Sequence, residues 1–560
     1  MRKPWTRPAL GGALAGLALF VGTSSRSYAQ LPDNPPPIMP LMPLPGLPLP
    51  GSPVPPEPTY PLPAAPATYQ PPAPAVPSQP AQPNYLPGPA GTPPVEGSAP
   101  PTGAANPLPG MFATVDPPRA GTFMPAPAPQ TVAQSSWDLS WQNGLFFKTT
   151  DGKFSFHTGA TLQYDTAFYS ASPRLTLGTG GVGRFNDGTN LRRGRFFFEG
   201  TLYDAVDYKF EMEFFNGVGF SPATTTGAVN NTSVVNSPGP TDAWINIKDV
   251  PLVGNIRIGS QKEWFSLEHL NSYRYLEFME RSYLFDFAQA TAFNNGFSPG
   301  VSMFRTWLND RVFTAAGVYK NESDLIGFGV NDGNYAFTGR VAALPIWMPD
   351  DKIFWHVGGA MSHRDPVNGQ VQIRLRDDIR NAPFPLLNVI ANTGLINASS
   401  QNLFNLETAA VWGPLTIQAE YTANVVNNAY VTPGKPLGDL NFGAYYAEAM
   451  LFLTGESRTW NVKNAFFNRV NVLHPLRLKP TDCDGYGWGA WELAARYTYV
   501  DLSNKTIQSG RLDAVTLGLN WYLNNNAKLQ FNYDYTQRGD TNNVAQGHIH
   551  AFGTRMSLDF

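Results

Sequence analysis

The sequence predicts an all-β protein: a transmembrane antiparallel β-barrel of about 16 strands, preceded by a disordered Pro-rich segment. Three observations lead there. The last 425 or so residues alternate apolar and polar side chains over runs of about 8 to 12 residues, broken by Gly, Asn, Asp and Pro clusters. No run of 18 apolar residues follows residue 136, so no membrane-spanning helix is expected. Proline is abundant before that point and sparse after it.

The elements follow in chain order. Residues 1–29 read as a secretory signal peptide. Arg2, Lys3 and Arg7 form a basic start, Ala9 to Gly22 an apolar stretch, and Ser27-Tyr28-Ala29 a small-x-small cleavage site. The apolar stretch is short of the roughly 20 residues that span a bilayer. Cleavage would remove Arg2, Lys3, Arg7 and Arg26 and move the formal charge from −3 to −7. A mildly acidic exported chain is not a nucleic-acid binder by electrostatics. With one cysteine, Cys483, it has no intrachain disulfide.

Residues 30–135 hold 35 of the 53 prolines. Their sequence, as in PLPGLPLPGSPVPPEPTYPLP, lacks the donors and the periodicity for helix or sheet, and predicts a disordered, polyproline-rich linker. It serves as a spacer or as a tether to the cell wall or a partner. Residues 136–560 form the barrel domain.

Within that domain FSFHTGATLQYD alternates from Phe154 to Tyr164. YKFEMEFF sets Tyr208, Phe210, Met212 and Phe214 against Lys209, Glu211 and Glu213. LTIQAEYT and WELAARYTY alternate in the same way. Near the C-terminus, Val515, Leu517, Leu519 and Trp521 share a face. So do Leu529, Phe531, Tyr533 and Tyr535, and then Phe552, Thr554, Met556, Leu558 and Phe560. Asn524-Asn525-Asn526 reads as the turn of a hairpin.

A soluble β-sandwich would also alternate. The barrel is favoured by aromatics near segment ends, by charge and Gly side by side on the polar faces, and by a last strand ending in Phe560. A closed barrel also satisfies every backbone polar group in lipid. At roughly 25 residues per strand and connection the domain holds about 16 strands, enough to enclose water. Residues 216–240 and 366–402 alternate weakly and read as extracellular loops.

One stretch breaks the low-charge pattern. GSQKEWFSLEHLNSYRYLEFMERS, residues 259–282, concentrates Lys262, Arg274 and Arg281 with Glu263, Glu268, Glu277 and Glu280, in a chain with 14% charged residues. Charged and hydroxyl side chains for water, plus aromatics to anchor them, suit a loop folded inward to narrow the lumen over residues 260–298. Upstream, in LRRGRFFFEG, Arg193, Arg195, Phe197 and Glu199 share one face. Phe196, Phe198, Gly200 and Leu202 share the other, which suits lipid. Two guanidinium groups would then enter the lumen, as oxyanion ligands or as one side of an ion-pair ladder with Glu211 or Glu213.

These blocks resemble the phosphate-selective porin O and P family. GSQKEWFSLEHLNSYRYLEFMERS is similar to its GQ-K…FSLE…ER block. LRRGRFFFEGTLYDAVDYKFEMEFFNG is similar to its Arg-rich strand and following hairpin. GAWELAARYTYVDL and LDAVTLGLNWYLNNNAKLQFNYDY resemble its C-terminal hairpins. The resemblance runs from about Phe154 to Phe560.

It implies an outer-membrane porin, a 16-stranded homotrimer with an inward third loop, passing small hydrophilic solutes or inorganic anions through a water-filled channel. It further implies that lumen arginines and a loop lysine with serines bind oxyanions. Carried onto this chain, Arg281 falls on the family's Glu-Arg pair and Ser272 on a loop serine, with Arg274 a cation beside them; together with Arg193, Arg195, Lys209, Lys262 and His269 they are the candidate pore-lining and anion-binding residues. The constriction acids are Glu263, Glu268 and Glu277. The loop lysine falls on His269, mostly neutral at pH 7 when unperturbed, and a serine position is taken by Tyr273.

Other classes fit less well. Gly296-Phe297-Ser298-Pro299-Gly300 matches G-x-S-x-G, but Pro299 lacks the N–H that the oxyanion hole needs, so no enzyme is expected. Asp482-Cys483-Asp484-Gly485 opens like a Ca²⁺ loop without its later ligands. His548 and His550 lack further metal ligands and read as pore or interface histidines. No cofactor or metal is expected. A structural or adhesive anchor, with the Pro-rich arm as its working part, is the alternative function.

Overall fold

The computed structural model describes residues 136–560 except 178–179, 216–217, 221–233, 237, 289–295, 322–332, 381–387, 480–484 and 540–544. The signal peptide, the Pro-rich segment and the Asp482-Cys483-Asp484 motif lie outside the described residues. So does most of 216–240.

Sixteen strands run in chain order: β1 (Phe154–Ala171), β2 (Gly188–Leu202), β3 (Val206–Glu213), β4 (Gly239–Val250), β5 (Gly254–Lys262), β6 (Phe297–Trp307), β7 (Val312–Lys320), β8 (Tyr335–Met348), β9 (Ile353–Arg364), β10 (Ser400–Trp412), β11 (Leu415–Tyr430), β12 (Pro436–Phe452), β13 (Ala490–Asn504), β14 (Ile507–Tyr522), β15 (Ala527–Gly539) and β16 (Gly547–Asp559). Each pairs antiparallel with the next. β16 closes onto β1, from Ile549↔Ala171 to Asp559↔Thr161. Closure leaves none of these sixteen strands as a free sheet edge in lipid.

The two-residue period sorts the wall. On β16 Phe552, Met556 and Leu558 face out, whereas Arg555, Ser557 and Asp559 are buried inside. The connections β2–β3, β4–β5, β6–β7, β8–β9, β10–β11 and β14–β15 are tight turns, which marks that end as periplasmic. Trp307, Trp355 and Trp412 face outward there, and Trp491 stacks on Trp521 at 4.9 Å. Phe168, Tyr335, Phe337 and Tyr430 face outward near the other end. These are the two aromatic girdles. A hairpin (Trp137–Trp141 with Leu145–Thr149) pairs with the start of β1 and extends the wall beneath the C-terminus; its Trp141 stacks on Phe560 at 6.0 Å.

Among the described residues, three connections enter the barrel. The first is the β5–β6 segment, described over residues 263–288 and at 296, as the sequence leads one to expect. The second is the β9–β10 segment, described over residues 365–380 and 388–399. It was expected to stand outside as an extracellular loop, but Val371, Ile373, Leu375, Ile390 and Ile396 pack fully buried against Tyr283, Leu284 and Phe287 of the first segment. Its apolar residues need a core, and the lumen supplies one. The third, unanticipated, is the β12–β13 connection. From the turn end it places Trp460 and Phe467 against Phe354.

Candidate constriction and anion site

The β5–β6 segment crosses the lumen and is fastened to both sides. At its start Trp264 packs on Phe304 and Phe313, with ring centroids 4.9 and 5.1 Å away. A short helix, Leu267–Leu270, is capped by Ser266. The N–H groups of Leu267 and Glu268 donate to the Glu420 carboxylate on β11 at 3.1 and 2.7 Å. Further along, Lys528 and Gln530 of β15 donate to the Leu276 carbonyl. The segment returns as the helix Tyr283–Ala288. Gly296, at φ +82°, closes over His269; a Cβ there would lie 2.4 Å from the ring nitrogen Nε2.

On β2 the register slips between Gln163↔Arg193 and Tyr164↔Leu191, leaving Arg192 as a bulged extra residue. A bulge re-aims one side chain. Strict alternation would send Arg192 to lipid. Instead Arg192, Arg193 and Arg195 are all buried inward. Arg192 meets Glu280 at 2.7 and 3.1 Å, and Arg193 meets it at 3.3 Å. Arg195 bonds to Glu211 at 2.8 Å and Glu213 at 2.7 Å, which is the ion-pair ladder. Its guanidinium also lies over the Tyr273 ring, 4.3 Å from the centroid.

Around these groups lies a cavity of about 20 Å³, lined by Arg192, Arg193, Arg195, Lys262, Tyr273, Glu280, Arg281, Phe285, Phe297 and Arg380. Six cations face it with one carboxylate. Two of the cations have no carboxylate in ion-pair range among the described residues. The Lys262 ammonium donates to the carbonyl oxygens of His269, Leu270 and Asn271 at 2.7, 3.2 and 3.0 Å. Arg281 donates to those of Glu268 and Asn271 at 2.8 and 2.7 Å. Carbonyl oxygens satisfy the donors without cancelling the charge. Burial lowers the Arg281 pKa to about 10, so it stays charged at neutral pH. Burial would raise Glu280, but the guanidinium groups of Arg192, Arg193, Arg555 and Arg380 outweigh it and hold the carboxyl well below its usual range.

The other sequence-nominated residues do not meet at this point. Glu263 pairs with Arg364 at 2.7 Å. Glu268 takes Ser282 at 2.7 Å and Arg496 at 3.4 Å. Glu277 contacts Arg458 of the β12–β13 connection. The three acids named as constriction residues therefore do not gather at one constriction with Lys262, Arg274 and Arg281. Buried carboxylates are held by the cations that best satisfy them, and here those stand on β9, on β13 and on the β12–β13 connection.

Arg274 bonds Glu211 at 3.0 Å, and Lys209 lies 3.5 Å from Glu199 and from Asp242. Ser272 caps a 3₁₀ turn by accepting the Arg274 N–H. His269 is 1% exposed, with its ring nitrogens 3.1 and 2.8 Å from the carbonyl oxygens of Phe265 and Gly296. Burial, then Lys262 and Arg281, hold its pKa well below the ordinary value. It ties the segment to itself through these two carbonyl contacts. Ser298 of the G-x-S-x-G match donates to Glu263 at 2.9 Å from a wall strand. His548 and His550 project outward beside Tyr533 and Tyr535, on the interface rather than the pore side.

Sequence reasoning missed Arg192, hidden by the bulge, and Arg380, placed in a loop assigned to the outside. The doublet in LRRGR and the charge run RDDIR were the available signals.

The sequence profile described as "Phosphate-selective porin O and P" matches residues 170–560. The chain belongs to that family. Porin O of Pseudomonas aeruginosa is 25% identical over 459 residues, covering 75% of this chain and 92% of that protein. An uncharacterized protein of Caulobacter vibrioides is 26% identical over 448 residues, covering 78% and 80%. Among solved structures, a loop L8 deletion mutant of OmpT, an outer membrane protein of Vibrio cholerae, is 10% identical with a TM-score of 0.42, covering 73% of this chain and 100% of that one. This porin thus resides in the outer membrane and forms a channel for passive diffusion of small hydrophilic solutes or ions.

Proposed function

We propose that this porin prefers small oxyanions or chloride over cations, and that the cavity between β2 and the β5–β6 segment sets the preference. The observation that carries the reading is its lining: six cations, of which Arg195 is paired with Glu211 and Glu213, Arg380 with Asp286, and Arg192 and Arg193 share Glu280. Lys262 and Arg281 there are neutralised by no carboxylate among the described residues. An anion entering gains charge-assisted hydrogen bonds from several guanidinium groups. A cation meets uncompensated like charge in a space of about 20 Å³, room for about one water.

Below it the cations continue through Arg274 and Lys209 towards the turn end. There is no catalytic role in this reading, and the chain acts as a trimer through its outer wall. Residues 1–29 act as the export signal, residues 30–135 as a spacer, and residues 136–560 carry the channel. Replacing Arg193 by Ala should shift the reversal potential in a salt gradient towards cations. An unshifted potential refutes the placement of the selectivity site.

A further inference from the structure

A vestibule of about 950 Å³ lies at the turn end of the barrel, within the size range of small-molecule sites, lined among others by Glu199, Asp207, Trp244, Asn246, Asn255 and Arg257. Arg257, on β5, faces inward opposite Asn246 and Ser302. Its guanidinium carbon lies 4.1 Å from the Trp244 ring centroid, 4.9 Å from that of Phe304 and 5.6 Å from that of Trp264. It is a cation in an aromatic box.

Its buried Nε has no hydrogen-bond partner, and no carboxylate stands in ion-pair range among the described residues. The neighbouring acids are engaged elsewhere. Asp242 accepts from the Trp244 indole at 2.9 Å and lies 3.5 Å from Lys209. Asp207 lies 3.4 Å from Lys248 and accepts from Thr201 at 2.8 Å. The Asn246 side-chain oxygen is likewise buried without a partner.

A buried guanidinium without a counter-ion is costly unless something supplies one. The wall around it offers amides, carboxylates and a hydroxyl, which suit solute hydroxyl groups, and an indole face, which suits the apolar face of a sugar ring. We propose that this vestibule is a second solute subsite, taking a hydroxylated organic anion such as a sugar phosphate, with Arg257 holding the anionic group and Asn246, Asn255 and Asp207 the hydroxyls. The subsite rests on the anion-conducting reading, and it admits solutes far larger than the cavity above it.

The test is block of chloride current through the full-length protein in planar bilayers, with glucose 6-phosphate, inorganic phosphate or glucose added from the turn side. Glucose 6-phosphate should block at lower concentration than inorganic phosphate, and glucose should not block. In Arg257→Met, which keeps an apolar filling for the aromatic box, the half-blocking concentration of glucose 6-phosphate should rise about tenfold relative to that of inorganic phosphate. Arg257→Lys should recover most of the difference, and Asn246→Ala should weaken glucose 6-phosphate alone. Unchanged glucose 6-phosphate block in Arg257→Met overturns the proposal. So does an equal loss for both phosphates, which would make Arg257 one contributor to a general field. A cation-selective parent channel, measured without any phosphate present, would instead defeat the underlying reading.

Discussion

Glu280→Gln should strengthen anion binding in the constriction and weaken the fold that holds it. Glu280 is 3% exposed and is the one carboxylate on a cavity with six cations. It also bonds Arg555 at 2.8 Å. Two unit charges about 6 Å apart at an effective dielectric of about 20 repel by about 3 kcal/mol, which sets the scale for an anion near Glu280. Nearby guanidinium groups and water screen part of this, leaving about 1–2 kcal/mol, or roughly tenfold in affinity. The opposing cost is structural, because removing one partner of a buried charge network costs about 3–5 kcal/mol. The assay is twofold. Phosphate block of chloride current should shift to about tenfold lower concentration. The temperature at which the folded band converts to the unfolded band on detergent gels should fall. Equal or weaker block in a folded Glu280→Gln channel would show that permeating anions do not pass this cavity.

Four further outcomes are expected. Arg193→Ala should move the reversal potential towards cations, whereas Ser272→Ala, which removes only a turn cap, should leave selectivity alone and cost about 1 kcal/mol or less of stability. Burial pushes the Asp378 carboxyl up to about 8, with Arg496 opposing and Asp534 adding. The folded protein therefore keeps a proton that the unfolded chain releases near pH 4, and stability should fall as pH rises from about 4 to 8. Asp378→Asn should flatten that slope in gel-shift temperature between pH 5.5 and 8.5. Arg458→Ala, by freeing the β12–β13 connection from Glu277, should raise unitary conductance and current noise; a quiet, unchanged channel would show that this connection is not held by that pair. A chain joining residues 1–29 directly to residue 134 should still assemble and conduct, and failure to assemble would assign the Pro-rich segment a part in folding.

The wall was legible because lipid and water enforce a period of two. The alternation in β1, β3 and β13 to β16 gives both strand and facing, and the Asn524-Asn525-Asn526 turn falls between β14 and β15. The inward β5–β6 segment was legible from charge density alone. The pairing inside the lumen was not, because it depends on which strands face each other across the barrel. Glu263 finds Arg364, and Glu268 finds Arg496, at separations no local pattern encodes. Arg192 was hidden for a different reason. A bulge shifts the period by one, and nothing in LRRGR announces where the slip occurs. The β9–β10 segment was misplaced because its weak alternation fits an outside loop, whereas its Val, Ile and Leu residues bury against Tyr283 and Phe287.

Single-channel recording of the purified protein in planar bilayers under a potassium chloride gradient tests most directly whether the cations lining the constriction set the selectivity of a water-filled channel. The structure predicts discrete conductance steps with a reversal potential on the chloride side, moving towards the potassium side in Arg193→Ala. Steps with a potassium-side potential in the parent protein, or a potential indifferent to Arg193, would contradict it.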